Sequence, residues 1–208
     1  MEINLSELPI KEVYKLITGA IVPRPIAWVS TVNTAGQANL APYSFFNGVC
    51  SRPPTVLFCP GVRSTDGQNK DTLNNIRATE EFVINMVTET TAEAMNRSAT
   101  ELPANINEFE YAGMTPAQSQ RVKPPRVAES PINFECKLTA IHPIGDGRAG
   151  SGFIVVGEVL HIHMADEIMR PDFKTDMLAF KPIGRLAGPH YTRVSDIFEL
   201  FREPSQMR

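Results

Sequence analysis

The sequence predicts a mainly β fold with short helices, built as a closed or partly closed antiparallel barrel. Three observations carry this reading. About seven strand-like runs are joined mostly by short turns. The helical segments fall singly between them rather than in β-α-β alternation, which disfavours a doubly wound parallel sheet. Seventeen prolines in 208 residues forbid long helices over much of the chain. No internal repeat and no linker divides two cores, so residues 1–208 read as a single domain.

Taken in order, Pro9 to Gly19 places Val13, Leu16 and Ile17 on one face of a short amphipathic helix, with Ser6 as its cap and Gly19 as its stop. Pro25 to Val32 and Gln37 to Phe46 flank the turn residues Asn33 to Gly36 and read as a hairpin. Another buried-type strand covers Thr55 to Cys59. Asp71 to Thr79 has helical spacing with Asp71 as N-cap, Glu81 to Val87 alternates as a strand, and Thr90 to Ser98 reads as a further helix. Residues 100 to 130, poor in periodic apolar positions, read as an extended surface excursion. Two long strands follow, Ile132 to His142 and Phe153 to Met164, and Ile197 to Phe201 reads as a final short helix or strand.

Composition narrows the function. A net charge of −3 supplies no broad positive field for phosphate backbones, so nucleic acid is not an expected partner. The apolar runs are far shorter than the ~20 residues of a spanning helix, and the opening MEINLSELPIKEV has no signal-peptide pattern. A cytoplasmic, membrane-free protein is the expectation. Three cysteines without a C-x-x-C pair suit packed thiols.

Two motifs invite over-reading. Gly145, Gly147 and Gly150 satisfy G-x-G-x-x-G, with Asp166 and Glu167 at a suggestive distance, but a strand follows the glycines where the dinucleotide fingerprint needs a helix. A hairpin loop is the reading. His161 and His163 share one face of a strand without an evident third ligand, so a solvent-facing polar stripe is expected and no metal. No G-x-S-x-G, Walker or H-E-x-x-H pattern occurs.

Two further segments have the chemistry of a ligand site. Asn39-Leu40-Ala41-Pro42-Tyr43-Ser44-Phe45-Phe46-Asn47 mixes aromatic bulk with hydroxyl and amide groups, and Pro42 interrupts the ladder, as a flat heteroaromatic ligand requires. Its alternative is an edge strand with a proline bulge. Lys70-Asp71-Thr72 opens a helix, where free amides, the helix dipole and the Lys70 charge favour a phosphate. Its alternative is a capped helix with Lys70 in solvent.

With these segments stand Pro23-Arg24-Pro25-Ile26-Ala27-Trp28-Val29-Ser30-Thr31, Pro53-Pro54, Asn75, and Gly184-Arg185-Leu186 with Gly188, Tyr191 and Arg193. In this order and spacing the chain resembles the flavin reductase-like proteins that bind FMN on a split β-barrel, in particular the flavoredoxin branch. The resemblance implies an antiparallel FMN-binding split barrel and a homodimer with FMN near the subunit interface. It carries the flavin contacts onto Ser30, Thr31, Asn39, Ala41, Pro42, Ser44, Phe45, Asn47, Lys70, Asp71, Thr72 and Arg185. The chain departs from the family where Ala187-Gly188 replaces two successive glycines, which opens the roles of Arg185 and His190; for His190 a surface loop is the competing reading. The implied activity is reduction of FMN by NADH or NADPH, with electrons passed to free flavin or a partner protein. Its alternative is an electron carrier with permanently bound FMN and no nicotinamide reaction. A cofactor-free interaction module is a third class. No dedicated acid or base is demanded, because the flavin carries the redox chemistry.

Overall fold

Seven strands form one antiparallel sheet in the computed structural model, which describes residues 1–103 and 106–207. They are β1 (Ala27–Val32), β2 (Ala38–Tyr43), β3 (Phe46–Ser51), β4 (Pro54–Phe58), β5 (Glu81–Met86), β6 (Ile132–Ile144) and β7 (Gly152–Met164). Their order is β2-β1-β5-β6-β7-β4-β3. The two edge strands, β2 and β3, are consecutive in the chain and linked only by Ser44 and Phe45. A two-residue link between opposite edges requires the sheet to roll until they meet at that corner. No pairing joins β2 to β3 among the described residues, so the roll is not closed by a hydrogen-bond ladder.

β1 is buried along its whole length because it is covered on both sides. Its Ala27 and Val29 face the inside of the roll, packing with Tyr43, Phe58, Phe82, Ile84 and Val155. Helix α2 (Asp71–Thr79) adds Leu73 and Ile76 to this cluster. The neighbouring Trp28 points outward, as alternation requires, into a second cluster with Leu40, Met95, Phe109, Val127 and Ile183. That cluster is roofed by α3 (Ala92–Arg97) and α4 (Glu108–Ala112). The Trp28 indole nitrogen donates to Ser98 Oγ at 2.8 Å, which satisfies its one buried donor.

Several elements differ from the sequence reading. Helix α1 (Ile10–Ala20) runs through Gly19, and Pro9 rather than Ser6 occupies its N-cap position. Ser6 belongs to a short 3-10 turn capped by Asn4. The second strand expected over Gln37 to Phe46 ends at Tyr43, Ser44 and Phe45 turn the corner, and β3, which starts at Phe46, was not foreseen. Asp71 is the first helical residue of α2, and Lys70 is the cap without a capping side-chain bond. Residues 100 to 130 hold α4 and a small ladder of Pro116–Ala117 with Arg126–Val127, while the unread segment at 104–105 lies outside the described residues. Residues 197–201 form neither helix nor strand. Near the C-terminus, β8 (Ile183–Arg185) pairs with β9 (Tyr191–Arg193).

The glycine loop is a hairpin turn between β6 and β7, as the sequence suggested. Gly145, Gly147 and Gly150 all have positive φ, at 91°, 83° and 97°, which L side chains rarely adopt. The histidine stripe is not solvent-facing: the half-buried His163 meets Glu135 of β6, which is fully buried. Glu135 also accepts from the amides of Gln120 and Arg121, so one carboxylate pins the excursion loop to the sheet. Burial pushes this carboxyl up, but His163 and the two amides outweigh burial and hold it below the usual carboxylate value. Among the described residues no His/Cys/Asp/Glu cluster could hold a metal ion, and no helix is long and apolar enough to cross a membrane.

Candidate active site

One open cleft brings together residues from both ligand-type segments. β2 projects Asn39, Ala41 and Tyr43 from a single face, and the start of α2 brings Lys70, Asp71 and Thr72 against them. Arg63, Glu101 and Glu108 complete the polar rim. Asn39 Nδ2 donates to the buried Thr72 hydroxyl at 2.9 Å, fixing α2 against β2. Behind them Asn75 Nδ2 donates to Thr31 Oγ1 at 3.0 Å, a second clamp from α2 to the sheet.

The ions of the cleft are paired within it. Lys70 Nζ lies 3.0 Å from Glu101, which also accepts from the Thr65 hydroxyl at 2.8 Å. Arg63 lies 3.2 Å from Asp71 and donates twice to the Asn69 carbonyl. The Thr65 hydroxyl and Lys70 hold the Glu101 carboxyl below its usual range. Burial pushes the Glu108 carboxyl up, which favours its neutral form and lessens the negative charge of the rim.

An orphan polar group stands at the floor. The Tyr43 hydroxyl is buried and makes no well-formed hydrogen bond; the nearby Thr72 hydroxyl only partly offsets the burial that raises its pKa. Buried polar atoms are rarely left unsatisfied, and those that are call for a ligand, a water or a function. With the uncapped amides opening α2 and two adjacent cations, the cleft fits a phosphate group, provided that Lys70 exchanges Glu101 for the ligand.

The remaining predicted residues fall elsewhere. Ser44 and Phe45 occupy the corner between β2 and β3, five residues from Asn39, or ~17 Å along an extended strand. Arg24 Nε is 3.3 Å from Ser44 Oγ and its guanidinium 5.9 Å from the Phe45 ring centroid. Arg185 of β8 pairs with Arg24 through the backbone in both directions, at 2.9 and 2.8 Å. Asn47 sits on the exposed strand β3, its side chain accepting from the Gly48 amide. His190 lies exposed in the β8–β9 turn. Ser30 and Pro42 point away from the cleft: Ser30 Oγ donates to the Pro125 carbonyl and Pro42 opposes Trp28 on the outer face. The sequence reading named Tyr43 within a ligand-type segment but gave it no role, which the i, i+2, i+4 alternation with Asn39 and Ala41 could have given. Arg24, named within a matched segment, was also given no role, and the reading missed Arg63, Glu101 and Glu108, which reach the cleft from distant segments without a shared pattern.

Residues 19–181 match the domain family described as the flavin reductase like domain. The chain belongs to this family. An uncharacterised protein of Aquifex aeolicus is 41% identical over 193 residues, covering 93% of this chain and 95% of its own length. Among solved structures, nitrilotriacetate monooxygenase component B from Bacillus cereus superposes with a TM-score of 0.91 at 36% identity, covering 96% of this chain and 98% of its own. The 2-nitrobenzoate 2-nitroreductase NbaA of Pseudomonas fluorescens gives 0.86 at 34% identity, covering 99% and 100%. The flavoredoxin of Desulfovibrio vulgaris shares the fold, with a TM-score of 0.72 at 21% identity over 96% of this chain and 97% of its own.

Proposed function

We propose that this protein is an FMN-binding oxidoreductase in which NADH or NADPH reduces the flavin, with electrons passing to free flavin or a partner protein. The observation that carries the reading is the cleft where the uncapped start of α2, Lys70 and Arg63 meet the orphan Tyr43 hydroxyl. Family membership and similarity to a monooxygenase component support it. Bound FMN supplies the hydride and electron chemistry; the protein's task is to bind and orient it. Lys70 and the α2 amides hold the phosphate. Asn39, Thr72 and Thr31 keep α2 seated on the sheet, so that the anchor is rigid. β2 then leads from the phosphate end to the Ser44–Phe45 corner, where the ring system finds an aromatic wall and a hydroxyl. Ser30, committed to Pro125, supports the strand from behind.

The active form in this proposal is a homodimer. Helix α1 exposes Ile10, Tyr14 and Ile17, Ile21 just after it is also exposed, and the C-terminal segment exposes Phe198, Leu200 and Phe201, an apolar surface that a second copy would cover. Light scattering of the flavin-loaded protein should return twice the 23.0 kDa chain mass; a monomer at micromolar concentration would remove the dimer from the account. For the reaction itself, FMN-loaded protein is mixed anaerobically with NADH or NADPH. Bleaching of the visible flavin band supports the oxidoreductase reading, whereas failure to bind FMN at all overturns it.

A further inference from the structure

We infer that Arg24 and Arg185 form a cationic corner that stabilises negative charge on the flavin ring system, with Arg185 as the residue that tunes it. This rests on the FMN reading above. Arg24 and Arg185 exchange both backbone hydrogen bonds, so they are a directly opposed antiparallel pair, with Cα atoms at the ~5.5 Å spacing of such pairs and side chains on the same side.

Arg24 is a charge buried to 4% exposure, yet its partners are neutral. Its guanidinium donates to the carbonyls of Thr18, Ile21 and Leu186 at 2.7, 2.8 and 3.1 Å, and to Ser44 Oγ. The first two of those carbonyls close the C-terminal end of α1, so the arginine caps that helix while its charge stays uncompensated. Arg185 has no side-chain hydrogen bond or ion pair among the described residues; its guanidinium lies 4.4 Å above the Tyr191 ring. Burial, and also Arg185, disfavour the charge of Arg24, with Tyr14 partly offsetting them.

A buried cation without a carboxylate, with a second, half-buried cation opposite it, is costly unless something anionic comes to the pair. Arg24 abuts Ser44 and Phe45, the corner assigned to the ring system, and Arg185 lies directly opposite Arg24, whereas the cations at the phosphate end are already matched by Glu101 and Asp71. A flavin ring gains negative charge over N1 and the C2 carbonyl when it is reduced. It gains the same charge when sulfite adds its lone pair to N5 of the oxidised ring, forming an N–S bond with the electron pair displaced onto N1. Arg24 also holds three chain segments together, so Arg185 is the residue to vary.

The test titrates FMN-loaded wild type, Arg185→Gln and Arg185→Lys with sulfite, reading loss of the visible flavin band, and measures the midpoint potential of each. Arg185→Gln should weaken sulfite binding on the order of tenfold, the worth of one unit charge acting through a protein-like dielectric, and should lower the potential. Arg185→Lys should retain most of both. Unchanged sulfite affinity and potential in an FMN-loaded Arg185→Gln would overturn the inference while leaving the FMN reading intact. If that variant instead lost only affinity for NADPH, Arg185 would belong to the donor's phosphate, which also overturns it. Failure of wild type to bind FMN would be a failure of the function, recognisable before sulfite is added.

Discussion

The two faces of the sheet use similar polar residues to opposite ends. On the outer face, Asn85 is buried and fully employed: its amide donates to the Trp28 carbonyl at 2.9 Å and to Ser30 Oγ at 3.2 Å, and its carbonyl accepts from Val127 N and Asn133 Nδ2, each at 2.8 Å. In the cleft on the inner side, the Tyr43 hydroxyl is also buried but lacks a partner, and Lys70 and Arg63 hold carboxylates that a ligand can displace. Glu135 and Glu101 repeat the contrast, one sealed under backbone amides and His163, the other half-exposed against a lysine. A saturated polar network specifies a fold; an unsaturated one beside free helix amides leaves room for a ligand.

The largest expected effect breaks the saturated side. Replacing Glu135 by Gln should cost about 3 kcal/mol of stability, because buried donors from Gln120, Arg121 and His163 lose a charged acceptor. Thermal melts should fall by roughly 2–4 °C per kcal/mol for a chain of this size. FMN affinity per folded molecule should not change; a parallel loss of affinity would erase the division between the faces. The same carboxylate sets a pH dependence. Its folded pKa lies below its unfolded one, so its contribution is present above the ordinary glutamate value and is lost as the pH falls through the lower folded value. Wild type should therefore lose stability on acidification in that window more steeply than Glu135→Gln, and equal slopes would contradict the assignment.

Next in size is the ligand side. Lys70→Ala should weaken FMN binding by about 1.5–3 kcal/mol with little effect on the melt of the apo-protein, since its present partner is a half-exposed carboxylate. Fluorescence quenching on titration reads it, and an unchanged affinity would return Lys70 to a plain surface ion pair.

How much of this was legible in the sequence follows from the same contrast. α2 appears with the bounds Asp71–Thr79 that its spacing predicted, because Leu73 and Ile76 recur at helical period and plug the roll. β3 was missed because Phe46–Ser51 is an exposed edge strand without alternation. α4 has only five residues, and the Asn107 side chain accepting from the Phe109 amide, together with burial of Phe109, holds a helix too short for periodicity to show. In the site, residues read from contiguous segments came together at the cleft or the corner. Ser30 and Pro42 did not, because alternation along β1 and β2 sends them to the other face, nor did Asn47, which lies exposed on β3. Arg63 and Glu101 join through tertiary contacts alone.

The smaller effects sharpen the comparison. Gly147→Ala should cost about 1 kcal/mol through its positive φ, since a Cβ there meets no neighbour, and should leave reduction by nicotinamide unaltered. Loss of that reduction with intact FMN occupancy would revive the dinucleotide reading of the loop. Tyr43→Phe removes the orphan hydroxyl, so the apo-protein should melt within about 1 kcal/mol of wild type or above it, while FMN binds more weakly. Destabilisation beyond that would mean that the hydroxyl is structurally satisfied.

The claim that the start of α2 is a phosphate anchor is tested most directly by calorimetric titration of apo-protein with FMN and, separately, with riboflavin, which lacks only the phosphate. The account predicts that FMN binds at least about tenfold more tightly, the worth of one charge-assisted contact, and that Lys70→Ala narrows the gap. Equal affinities for the two flavins would contradict it.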